Sequence, residues 1–140
     1  MRVYFDSSAF AKRYIDEDGT GEVWAWCERA RELALSVIAV PELISAFRRL
    51  QREGRLTATQ YQNIKGDLMA DITDAIVSDT TPQVIQYAVQ ALEAHPLRGM
   101  GAIHIGAARA CAAEVFVSGD ARQCRAAEAL GLKVVALGGS

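Results

Sequence analysis

Apolar positions along the chain follow two alternating spacings. Short β-rich runs stand at Arg2–Asp6 (RVYFD), Leu35–Val40, Ala75–Val77, Val115–Ser118 (VFVS) and Lys133–Leu137. Between them, apolar residues recur every three or four positions, the helical spacing. This predicts helices over Ala9–Ile15, Glu22–Leu33, Pro41 to Gly54, Thr57 to Asp74, Thr81 to Ala94, Met100–Ala113 and Asp120–Leu130. Local chemistry marks several ends. Ser7 and Ser8 are N-cap types ahead of the first helix, Pro41 suits a first helical position, and Gly131 closes the last helix. In the second helix Val23, Trp24, Cys27 and Ala30 share the apolar spacing, so Trp24 is the expected core residue and Trp26 the outward one. Strands alternating with helices in this way imply parallel pairing, right-handed crossovers and helices on both faces of a sheet. The expected fold is α/β, a three-layer αβα sandwich with a mostly parallel central sheet. No linker, repeat or low-complexity tract divides the chain, which is expected to form one domain over residues 1–140.

Composition narrows the class. At 51% hydrophobic and 23% charged residues the chain can bury a core and fits neither a disordered tail nor a polyelectrolyte. No apolar run reaches the ~18 residues of a membrane span; the best candidate, Leu33 to Phe47, is interrupted by Pro41 and Glu42. Cys27, Cys111 and Cys124 are odd in number and lack C-x-x-C spacing, which favours reduced thiols over a disulfide frame or zinc site. With a start unlike a secretory leader, the expected location is cytoplasmic. The formal charge of −2 excludes holding nucleic acid by net attraction alone, although 12 of the 15 basic residues are Arg, the residue suited to bidentate phosphate contacts.

The candidate chemistry lies at strand ends. In an open parallel sheet, ligands bind beyond the carboxyl ends of the strands where strand order reverses. Asp6 closes the first strand, Asp120 follows VFVS after one glycine, and Glu42 opens the helix after the second strand. Such acids also serve as helix caps, and Asp120 is well placed to cap its own helix. Carboxylates gathered together raise each other's pKa, and a hard divalent cation such as Mg²⁺ or Mn²⁺ removes that penalty.

Four blocks in this order, VYFDSSAFAKRY, VPELISAF, LRGMGAIHIGAA and FVSGDARQCRAAEALGLKVV, resemble the PIN domain, and within it the VapC-type toxins of toxin–antitoxin pairs. The resemblance runs through nearly the whole chain. It implies a metal-dependent endoribonuclease that hydrolyses RNA phosphodiesters, a cognate antitoxin as partner, and the homodimer common in the family. Carried over by block, Asp6, Glu42 and Asp120 match three of the family's acids as metal ligands and catalytic residues, and Ser8 and Ser118 match supporting hydroxyl positions. The family's third block reads Leu-Arg-x-x-Asp-Ala-x-His, and here Gly101 stands at the Asp position. That departure leaves at most three carboxylates, which suffices for one cation but disfavours a two-metal clamp. It also keeps open a catalytically weakened PIN domain acting as an RNA- or protein-binding regulator.

Two further positions carry expectations. His104 lies three residues beyond Gly101 among apolar neighbours, which favours a structural, hydrogen-bonded histidine over a general base. In the helix after Pro41, Leu43, Ala46, Phe47 and Leu50 form the apolar side, and Arg48, Arg52 and Arg55 the opposite one. Arg49 falls on the margin beside Glu42 and is the candidate RNA contact.

Overall fold

Five strands, β1 (Arg2–Phe5), β2 (Glu32–Ser36), β3 (Ile76–Ser78), β4 (Val115–Ser118) and β5 (Lys133–Ala136), pair in parallel throughout, in the order β3-β2-β1-β4-β5. The computed structural model describes residues 1–138; Gly139 and Ser140, the end of the expected domain, lie outside the described residues. The strands alternate with α1 (Ser7–Ala11), α2 (Thr20–Arg29), α3 (Ala39–Arg52), α4 (Ala58–Asp74), α5 (Pro82–Ala94), α6 (Gly99–Ala110) and α7 (Ala121–Ala129).

The two-residue period of the strands divides the core into two layers. Val3, Phe5, Leu35, Val115 and Val117 face α1 to α4, where Phe10, Val23, Trp26, Leu43, Phe47 and Leu68 meet them. Tyr4, Ala34 and Phe116 face the other way, toward Val84 and Ala91 of α5, Ile105, Ala107 and Ala108 of α6, and Ala126 and Ala127 of α7. The second layer is built from small residues, so its helices approach closely. A Cβ on Gly106 would run into the carbonyl oxygen of Val84 and stand 3.2 Å from the Ala88 nitrogen, so this helix pair admits only glycine there.

Several ends differ from those expected, each for a local reason. Asp6, not a serine, caps α1: its side chain accepts from the Ala9 N–H, and the helix is a short one ending at Ala11. β2 lies earlier than expected, because the Ser36 hydroxyl accepts from the Ile38 N–H at 3.2 Å and turns the chain out of the sheet. Helix α3 therefore starts at Ala39, and Pro41 occupies its first turn, where a missing N–H costs nothing. In α2, Trp26 is buried with Val23, whereas Trp24 is 44% exposed and lies beneath the Arg13 guanidinium, 4.3 Å from ring centre to Cζ. Among the described residues no helix is long and apolar enough to cross a membrane, and Cys27, Cys111 and Cys124 are free thiols.

This topology sets the site. β1 is central; the chain proceeds outward through β2 and β3 on one side and later fills β4 and β5 on the other. Strand order reverses between β1 and β4, and the ends of those strands carry Asp6 and Asp120.

Candidate active site

A cavity of about 420 Å³ opens at this reversal point, bordered by Asp6, Ser7, Ser8, Glu42, Gly101, His104 and Asp120. The three expected acids thus face one space, although they come from β1, α3 and the start of α7. Arg98, Met100, Arg122 and Gln123 complete the wall with Leu97.

Asp6 is buried at 1% exposure and fully engaged. Its Oδ1 accepts from the Ser8 hydroxyl at 2.8 Å and the Ala9 N–H at 2.9 Å, and its Oδ2 from the Ser118 hydroxyl at 2.6 Å. The two serines expected to support the acids therefore both orient Asp6. Burial pushes the Asp6 carboxyl above its ordinary value, against the lowering pull of His104 and of these hydrogen bonds. Ser118 also accepts from the Asp120 N–H at 2.9 Å, so one buried hydroxyl ties the two strand-end acids together. Asp120 caps α7, with Oδ1 accepting from the N–H groups of Arg122 at 2.9 Å and Gln123 at 3.2 Å. This is the capping role the residue type predicts, and its Oδ2 makes no hydrogen bond among the described residues.

Glu42 is held from the opposite wall. Its Oε1 accepts from the Ser7 hydroxyl at 2.5 Å and lies 2.9 Å from His104 Nε2. Burial would raise the Glu42 carboxyl, but hydrogen bonds from His104 and Ser7 outweigh it and hold the group below its ordinary value. His104 is 2% exposed, and its Nδ1 stands 2.7 Å from the Tyr4 hydroxyl. In a neutral ring this pairing puts the proton on Nε2, donated to Glu42, and leaves Nδ1 to accept from Tyr4. The structural role expected for His104 is the one observed. Tyr4 carried no signal in the sequence, and Ser7 stood there only as a possible helix cap, not as a site residue.

The basic residues divide between two spaces. Arg98 and Arg122 are exposed on the rim of the acidic cavity. Arg49 lies in an adjoining groove of about 520 Å³, which shares Ser7, Ser8 and Glu42 with the first and also carries Lys12 and Arg55 over Ala46, Phe47 and Leu50. Arg122 is the basic residue that sequence reasoning overlooked; its place two residues after Asp120 was the available signal.

A metal has a donor set here but no closed cage. Among the described residues no group of three or more His, Cys, Asp or Glu side chains is arranged to hold an ion. The oxygens that remain open, Asp120 Oδ2 and Glu42 Oε2, are hard donors on residues bordering this cavity, which has room for a hydrated ion. This fits a cation such as Mg²⁺, which keeps most of its waters and takes few protein carboxylates.

No family model matches the chain. It is 32% identical over 111 residues, 77% of this chain and 75% of theirs, to two curated relatives, Ribonuclease VapC45 and Ribonuclease VapC49, both of Mycobacterium tuberculosis strains. Its fold matches that of VapBC2 from Rickettsia felis, solved bound to a DNA fragment from their promoter, with a TM-score of 0.69 at 11% identity, covering 98% of this chain and 99% of that one. With the αβα fold and the strand-end acids already in place, the chain belongs to the VapC family of PIN-domain ribonucleases.

Proposed function

We propose that this protein is an endoribonuclease that hydrolyses RNA phosphodiesters with Mg²⁺ or Mn²⁺, and that it is the toxin of a pair held in check by a cognate antitoxin in the cytoplasm. The observation that carries the reading is the meeting of Asp6, Glu42 and Asp120 in one cavity at the strand-order reversal, with Arg98 and Arg122 on its rim. When bound, the cation supplies positive charge against the phosphate and acidifies water for attack.

The chain's own residues prepare the site for it. Ser8, Ser118 and the Ala9 N–H fix the Asp6 carboxylate in one orientation. His104 and Ser7 keep Glu42 ionised and aimed, and Tyr4 in turn fixes the imidazole. Arg98 and Arg122, exposed on the rim, would receive the non-bridging phosphate oxygens and orient the strand. Arg49, beside Glu42 in the adjoining groove, extends the path along which RNA can lie. The apolar stripe of Ile85, Val89 and Leu92 on α5, each 41–48% exposed, supports a homodimer.

Incubation of antitoxin-free protein with single-stranded RNA, with Mn²⁺ and then with EDTA, tests the reading. Cleavage in the first and none in the second is expected. RNA binding without cleavage in either would favour the regulator reading that Gly101 raises.

A further inference from the structure

Gly101 lies in the first turn of α6 and is buried, although glycine has no side chain to bury. The space beside it is filled. A Cβ built at this position would stand 3.2 Å from Gln123 Nε2, 3.3 Å from its Cγ and 3.4 Å from its Cδ. The side chain of Gln123 therefore lies tight against this position, and would have to give by a few tenths of an ångström to admit a Cβ there. Both residues border the same cavity as Asp6, Glu42 and Asp120.

Gln123 is also chemically unfinished. Its Oε1 is buried and is the one buried side-chain nitrogen or oxygen without a hydrogen-bond partner among the described residues. Buried acceptors normally have a partner, and one that lacks it calls for a water or an ion. The backbone of Gln123 is held in place because its N–H donates to Asp120 Oδ1. Its terminal amide retains a soft torsion, about which the oxygen and nitrogen exchange places without moving the rest of the side chain.

We propose that Gln123 takes the place of the acid missing at Gly101: a turn of its amide brings the oxygen to where Nε2 now stands beside position 101 and presents it as a neutral donor to the hydrated cation. The inference rests on the metal-dependent reading above and extends it to the residue that completes the donor set. Amide oxygens are hard donors suited to Mg²⁺ and Mn²⁺. Replacing a carboxylate by an amide removes one negative charge, so the site is tuned to bind its cation more weakly than a four-acid site. The glycine and the glutamine are then a matched pair, since a side chain at position 101 would crowd the amide where it now packs.

The test is calorimetric titration of Mn²⁺ alone into folded parent, Gln123→Glu, Gln123→Ala, Gly101→Asp and the double variant Gly101→Asp/Gln123→Ala, with thermal unfolding to confirm the fold of each. Gln123→Glu should tighten Mn²⁺ binding about tenfold, and Gln123→Ala should weaken it about threefold or more. Gly101→Asp alone should gain less than the double variant, because Gln123 crowds the new carboxylate. A parent that binds Mn²⁺, with all four variants binding as it does, would overturn the inference while leaving the metal reading standing. A parent that binds no Mn²⁺ would overturn both.

Discussion

His104 Nε2 stands 2.9 Å from Glu42 Oε1 while Nδ1 of the same ring stands 2.7 Å from the Tyr4 hydroxyl. One buried imidazole thus links a residue in the middle of the central strand to an acid on α3, across the floor of the cavity. The link has a structural cost when broken from the middle. His104→Ala takes away the ring partner of the buried Tyr4 hydroxyl and releases Glu42, and should destabilise the protein by about 2–3 kcal/mol, whereas Tyr4→Phe leaves one ring nitrogen without its donor and should cost about 1 kcal/mol. Urea unfolding of both variants measures this, and equal losses would contradict the ordering.

Asp6 should trade stability for function. Burial raises its carboxyl in the folded protein, so the unfolded chain loses that proton at lower pH than the folded one. Stability is therefore lost as pH rises from the ordinary carboxyl value toward the raised folded one, and remains reduced above it. Asp6→Asn keeps an oxygen for Ala9 and escapes this loss. The metal-free variant should have a higher Tm than the parent at pH 7, with the difference closing below about pH 4, and it should bind Mn²⁺ more weakly. A variant less stable than the parent at pH 7 would show that ionised Asp6 is well compensated by its hydrogen bonds.

A second carboxylate has the opposite sign. Asp71 on α4 accepts from Arg13 Nε at 2.9 Å and the Tyr14 hydroxyl at 2.6 Å. Burial would raise its carboxyl, but these donors outweigh it and hold the group below its ordinary value. Its contribution is present above the ordinary carboxyl value and is lost as pH falls through the depressed folded one. Asp71→Asn should cost about 1–2 kcal/mol at pH 7 and progressively less toward pH 2. A cost independent of pH would assign the effect to packing.

The layers, the parallel sheet and the three acids were legible because they rest on local signals: period-two strands, period-3.6 helices and acids just past strand ends. What failed depended on tertiary choice. The apolar spacing favoured Trp24 for the core, but the tryptophan that is buried is Trp26, which packs with Val23 against the sheet, while Trp24 lies under Arg13. The start of α3 was hidden because the turn that ends β2 is made by a single serine hydroxyl. Ser7, Arg122 and Gln123 entered the site only once α1, α6 and α7 were brought together. No spacing along the chain reports that Gln123 fills the space beside Gly101, 22 residues earlier.

RNA contacts should follow position relative to the cavity. Arg122→Ala and Arg49→Ala should each weaken single-stranded RNA binding and lower the salt slope by about one phosphate contact. Arg52→Ala, on the exposed side of α3 and outside both spaces, should change neither. Fluorescence anisotropy across a salt series separates these outcomes, and equal effects at all three positions would assign the arginines to general surface charge.

The three strand-end acids should act as one catalytic site. The most direct measurement is the single-turnover rate of RNA cleavage with Mn²⁺ for the parent and for Asp6→Asn, Glu42→Gln and Asp120→Asn, each confirmed to be folded and to bind RNA. The parent should cleave, and each variant should show a rate reduced at least a hundredfold with RNA affinity within about threefold of the parent, the pattern of groups that act on the transition state rather than on substrate binding. Parent-like cleavage in any one of the three would contradict it.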